Sequence, residues 1–201
     1  MSNLVNRAPI QLKVANYFQS DNYLKGSFGI DLLKSLLERS GYTVCHYGYE
    51  FTLLDVMSKR TLKTSNSKTG RRIRKSPDLL VYDDQNIMLV EVKTRLTSPP
   101  MIDSYEMEPL KEFWEDAILV VLVPDGNIFY AQRISEIEAP FGYYLQLADL
   151  EKLQDVFTRV NDEDIFHYKR IALPLLQLFM SKTQKERFSQ SPVLDETSCQ
   201  K

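Results

Sequence analysis

Three side chains near the middle of the chain suit acid chemistry with a cation: Asp78, Glu91 and Lys93. Asp78 opens a short apolar run at 78–82, and Glu91 and Lys93 close another at 87–94. Side chains alternate faces along a strand. Ile87, Leu89, Glu91 and Lys93 therefore share one face, and Met88, Val90, Val92 and Thr94 the other. Both faces begin apolar, so this strand is expected to be central and covered on both sides. Charges in such a place are costly unless they are paired, bound to metal or solvated at an edge.

The residues between the runs, Asp83-Asp84-Gln85-Asn86, have turn chemistry. The two runs are thus expected to form an antiparallel hairpin. With Asp83 opposite Asn86, Asp78 falls opposite Glu91, and directly opposed Cβ atoms stand about 5 Å apart. Two carboxylates at that separation repel unless something cationic lies between them. Oxygen donors select a hard ion such as Mg²⁺ or Mn²⁺. Such an ion lowers the pKa of water and stabilises charge developing on phosphorus. Lys93, one pleat further along the same face, is placed to orient the water or neutralise that charge. These parts suit phosphodiester hydrolysis.

Ser76-Pro77-Asp78, followed after twelve intervening residues by Glu91-Val92-Lys93, resembles the PD-(D/E)XK nuclease superfamily. The resemblance covers roughly residues 25–134. It implies an α/β fold, a restriction-endonuclease-like mixed β-sheet flanked by helices. It implies Asp78 and Glu91 as metal ligands, with the Val92 carbonyl as a further ligand. Lys93 would position or activate the nucleophilic water, Mg²⁺ or Mn²⁺ would be the cofactor, and DNA the substrate. Many members carry a metal-linked glutamate in the first helix. Here Ile30 stands in that place, with Asp31, Glu38 and Glu50 as candidate substitutes. Two other functions stay open: a catalytically weak or inactive nucleic-acid-binding module of the same fold, and a nuclease subunit of a larger repair, defence or mobile-element complex. A scaffold in which the acids are structural is a third.

A basic segment leads into the motif. Between Ser58 and Ser76 lie Lys59, Arg60, Lys63, Lys68, Arg71, Arg72, Arg74 and Lys75, with no acidic residue. The chain as a whole carries −2, so the remainder carries −10 against these eight positive charges. Residues 52–76 are expected to be a long loop whose cations neutralise phosphates. The interleaved Ser, Thr, Asn and Gly suit backbone contacts more than base reading. Lys111 and Glu112 are candidates to face the site. Tyr47, Tyr49, Tyr143 and Tyr144 are expected to be half-buried packing rather than base-stacking residues, and Phe113 and Trp114 to pack the second helix.

The elements follow from periodicity. Residues 1–24 are hard to read, although Val14, Tyr17 and Phe18 fit one face of a short helix. Leu32, Leu33, Leu36 and Leu37 predict a helix over 27–40, started by Ser27 and ended by Gly41 in the left-handed conformation. A strand is predicted at 43–51, a helix at 103–115 after Pro99-Pro100, and strands at 117–123 and 128–134. Helices at 147–160 and 163–180, the second interrupted or kinked at Pro174, make a C-terminal helical extension. Residues 1–146 are read as the nuclease-like domain, 147–180 as the extension and 181–201 as a mobile tail. The extension is a candidate surface for a second copy or a partner protein.

With 43% apolar and 26% charged residues, 201 residues suit one globular domain and exclude a wholly disordered chain. Two cysteines, Cys45 and Cys199, and two histidines, His46 and His167, form neither a disulfide framework nor a zinc spacing. The first residues lack the pattern of a signal peptide. The longest apolar runs, 117–123 and 171–180, are too short to span a bilayer. A cytoplasmic protein is expected.

Overall fold

The computed structural model describes residues 11–49, 66–97, 100, 102–124, 127–137 and 150–180. Helix α1 spans Gln11–Arg39. The expected leucines, Leu32, Leu33, Leu36 and Leu37, form its buried face. Ser27 is interior to this helix rather than its first turn, because no Pro lies between Gln11 and Ser27 to stop the chain and Gly26 is tolerated within it. The end is as expected. Gly41 has φ 86°, and the N–H groups of Gly41 and Tyr42 donate to the carbonyls of Glu38 and Leu37.

Strand β1 covers Thr43–His46, shorter than the predicted 43–51. The ladder stops because the N–H groups of Tyr47 and Gly48 both turn to the Asp78 carbonyl, at 2.8 and 3.3 Å. The basic segment is not all loop. Lys68–Arg74 forms a helix, α2, which Ser67 caps by accepting from the Gly70 N–H at 3.1 Å. Lys59, Arg60, Lys63 and Glu50 lie outside the described residues.

Strands β2, Leu79–Tyr82, and β3, Ile87–Thr94, form the predicted hairpin. Helix α3, Ser104–Phe113, carries the chain over to β4, Ile118–Leu122, which lies parallel to β3. Asp103 caps α3 by accepting from the Glu106 N–H. Strand β5, Phe129–Arg133, returns antiparallel and a 3-10 turn follows at Ile134–Glu136. With a last short strand, β6, at Glu151–Lys152, the six-stranded order is β1-β2-β3-β4-β5-β6. Helix, strand, motif hairpin, helix, strand is the order the motif implied, and the sheet is mixed and flanked by helices as expected.

The C-terminal third differs from expectation in its first half. Within the predicted helix 147–160, Glu151–Lys152 instead form a short edge strand, β6, on β5. One helical turn follows, α4, Leu153–Val156. The three-to-four spacing of Leu153, Phe157 and Val160 is used to bring all three into the core from this mixed path. Helix α5, Asp162–Phe179, then runs through Pro174 without interruption, with Pro174 on its exposed side. Asn161 caps it by accepting from the Asp164 N–H. Residues 138–149 and 181–201, with Tyr143, Tyr144 and Cys199, lie outside the described residues.

Apolar packing is divided between the two faces of the sheet. Val81, Val90, Val92, Val120 and Leu122 face α1 and α5. Leu89, Leu119, Val121 and Val123 pack with Ile102, Met107 and Leu110 on the α3 side. All five residues of β4 are buried, as a central strand requires. Helix α1 approaches β3 so closely that a Cβ at Gly29 would overlap Thr94 Oγ1. Asp164 of α5, itself buried, accepts from Arg39 Nε at 2.7 Å and Ser40 Oγ at 3.2 Å, which clamps α5 onto the end of α1. Among the described residues no helix is long and apolar enough to cross a membrane.

Candidate active site

The hairpin register is the one the turn chemistry dictates. Leu79 pairs with Val90, Leu80 with Leu89, Val81 with Met88 and Tyr82 with Ile87. The Asp83 N–H donates to the Asn86 carbonyl at 3.1 Å, and the Asp83 carboxylate accepts from the N–H groups of Gln85 and Asn86. One step beyond Leu79, Asp78 stands opposite Glu91. Asp78 Oδ2 accepts from the Val92 N–H at 2.8 Å. A strand residue sends its N–H and C=O toward the same edge. The Val92 carbonyl therefore faces the edge that carries Asp78.

Glu91 is 7% exposed, on the face covered by α3. Lys93 Nζ lies 2.6 Å from Glu91 Oε1. A third acid, Glu106 in the first turn of α3, completes the arrangement. Its Oε1 is 3.9 Å from Lys93 Nζ, and its Oε2 is 2.5 Å from Arg95 Nη2. Burial pushes the Glu91 carboxyl above the ordinary glutamate value, against the pull of Lys93 and Lys75. Burial alone would lower Lys93, but Glu91, Glu106 and Asp78 outweigh it and hold the ammonium above the ordinary lysine value. The site is thus a buried carboxylate held by one lysine, with a second carboxylate entering from the neighbouring strand.

The donor chemistry fits a hard divalent cation: two carboxylates and one strand carbonyl on adjoining strands, all oxygen. Among the described residues no group of three His, Cys, Asp or Glu side chains stands close enough to hold an ion by side chains alone. Carbonyl and water oxygens would have to complete the shell. Among the described residues the first helix brings no acid here. Ile30 packs against the core on the α1 side. Asp31 is on that side too, 4.0 Å from His46 Nε2, and Glu38 pairs with Lys34.

No protein-family model matches the sequence. No curated protein matches it. Among solved structures, Hjc of Archaeoglobus fulgidus, a Holliday junction resolvase, is similar to this chain. The match has 14% identity and a TM-score of 0.45, over 65% of this chain and 98% of that one. At that identity and TM-score nothing about residues or activity passes between the two.

Helix α2 lies alongside α3 and leads its cations toward the acids. Lys68 Nζ is 6.0 Å and the Arg71 guanidinium 5.6 Å from the Phe113 ring centre. Arg72 is 4.9 Å from the Trp114 ring and Lys75 5.1 Å from Tyr105. Arg71 also meets Glu112 at 3.3 Å. Glu112 is therefore not at the acidic pair, and Lys111 donates to the Ile137 carbonyl instead. Trp114 packs as expected, edge-on to a half-buried Tyr47 at 6.3 Å.

Sequence reasoning missed Glu106, Arg95 and Tyr105. Arg95 shares the strand parity of Glu91 and Lys93, which was a usable signal. Glu106 sits three residues after Asp103, where it looks like half of a helix-start motif, and that local reading hides its reach to Lys93.

Proposed function

We propose that the protein is a metal-dependent nuclease that hydrolyses phosphodiester bonds, with DNA as the substrate. The observation that carries this is the buried Glu91, opposite Asp78 in the hairpin and 2.6 Å from Lys93. Asp78, Glu91 and the Val92 carbonyl are the residues that would hold Mg²⁺ or Mn²⁺. When bound, the ion would make water a better nucleophile and stabilise charge on the phosphoryl oxygens.

The chain's own groups do the rest. Lys93, charged beside Glu91, donates to the attacking water or to a phosphate oxygen. Glu106, itself paired with Arg95, holds Lys93 at 3.9 Å. Lys68, Arg71, Arg72, Arg74 and Lys75 neutralise phosphates along the approach. Lys59, Arg60 and Lys63, outside the described residues, are further candidates for the same role.

A second reading is favoured by the apolar Ile30 in the place of a first-helix acid: a binding module that hydrolyses slowly or not at all. One experiment separates the two. The purified protein is incubated with supercoiled plasmid, single-stranded DNA and structured RNA, in Mg²⁺, Mn²⁺ or EDTA. Cleavage that needs metal and disappears in Asp78→Ala and Lys93→Ala is expected. Binding without cleavage in any metal would replace the nuclease by the binding module.

A further inference from the structure

We propose that Tyr105, with Lys75 against its ring, is a stacking site for an unpaired nucleobase beside the acidic pair. The proposal rests on the nuclease reading and names the form of substrate that reading leaves open.

Tyr105 is 76% exposed in the first turn of α3. Its ring is not part of either core, and Lys75 Nζ sits 5.1 Å from its centre. An exposed aromatic by itself says little. Its neighbours give this one meaning. Glu106, the next residue, reaches Lys93 and Arg95. Lys75 acts electrostatically on the Glu91 carboxyl. Tyr105 is thus the chain neighbour of an acid that meets Lys93, and Lys75 is near enough to Glu91 for its charge to bear on it.

Other rings of the region are differently used. Phe113 and Trp114 are half-buried beneath Lys68, Arg71 and Arg72. Tyr23 and Tyr82 are exposed, but on α1 and at the turn end of the hairpin, away from Glu91. Only an unstacked base has a free π-face to offer. A base laid on Tyr105 carries a phosphate on either side of its sugar. Lys75, against the ring, can meet one of them. A paired base inside a duplex cannot reach the ring without leaving the stack. The site thus favours single-stranded or locally opened nucleic acid.

The test measures binding of the full chain without divalent cation, so that nothing is cleaved. The probes are an end-labelled single-stranded DNA, a blunt duplex of the same length, and a single strand carrying one 2-aminopurine. Stacking should quench the 2-aminopurine fluorescence. Tyr105→Ala and Tyr105→Leu should weaken single-strand binding by about 5- to 150-fold, the range to which one lost base–aromatic stack corresponds. Both should abolish the quench and leave duplex affinity within about twofold. Tyr105→Phe should behave as wild type. The ring is exposed, so each variant should fold, and a melting curve recorded for each checks that it does. Unchanged single-strand affinity in Tyr105→Ala, or equal loss on single strand and duplex, overturns the stacking site. If the wild type still cleaves with metal, the stacking site alone falls. A wild type that binds neither probe overturns both readings.

Discussion

A carboxylate buried as deeply as Glu91 must be held by cations, and the arrangement has two: Lys93 in contact and Lys75 nearby. Lys93 is in turn held from two sides, by Glu91 and by Glu106, which also engages Arg95. Glu106 is then a positioning residue for Lys93. Glu106→Gln keeps its size but removes the charge that draws Lys93 away from Glu91. The expected result is a fall in kcat of about 10- to 100-fold, as for a misplaced catalytic group, with KM within about twofold. Glu106→Asp should recover part of the loss. A raised KM with kcat unchanged would place Glu106 in substrate binding instead.

The elements that carry these residues meet at close quarters. Gly29 lets α1 descend onto β3 against Val92 and Thr94, on the face opposite Glu91 and Lys93. Any side chain there must displace Thr94 or lift the helix. Gly29→Leu gains about 1 kcal/mol of helix propensity and incurs overpacking worth roughly 1–3 kcal/mol or more. Overpacking should therefore outweigh the gain in propensity. A urea titration should show a lower midpoint with little change in slope, a net loss of up to about 2 kcal/mol. A midpoint at or above wild type would mean that α1 adjusts freely at this crossing. Helix α2 is a different kind of element. At seven residues it is too short to persist alone. Its Ser67 cap and its cations stacked on Phe113, Trp114 and Tyr105 hold it in place.

At the scale of the whole molecule, the site is linked to global stability through protons. Glu91 has a folded-state pKa above its unfolded one, because burial disfavours the anion. Its protonation therefore stabilises the fold. That contribution is full below the unfolded pKa and is lost as pH rises through the folded pKa. A divalent cation competes for the same carboxylate. Mg²⁺ or Mn²⁺ at about 100 times its Kd should stabilise the protein by about 2.7 kcal/mol at pH values above the folded pKa. The increment should shrink as pH falls through that value, and vanish in Asp78→Ala. Thermal melts across pH, with and without metal, measure it. A shift that ignores pH, or survives in Asp78→Ala, would put the ion elsewhere.

Local chemistry alone set the hairpin and its register. Turn chemistry at Asp83–Asn86 and alternation along 87–94 are local, and local pairing fixes which residues stand opposite. It also determined the buried stripe of α1, the Gly41 ending and the central β4, for each rests on periodicity or on one backbone conformation. Tertiary structure decided the rest. Whether 68–74 is loop or helix depends on α3 lying beneath it. Whether 151–152 is strand or helix depends on a free edge of β5, which no spacing within 147–160 records. The pairings of Lys75 with Tyr105 and of Glu106 with Lys93 arise only when the parallel crossover returns α3 over the sheet. Contacts between residues far apart in the chain come from packing, and periodicity within one segment carries no trace of them.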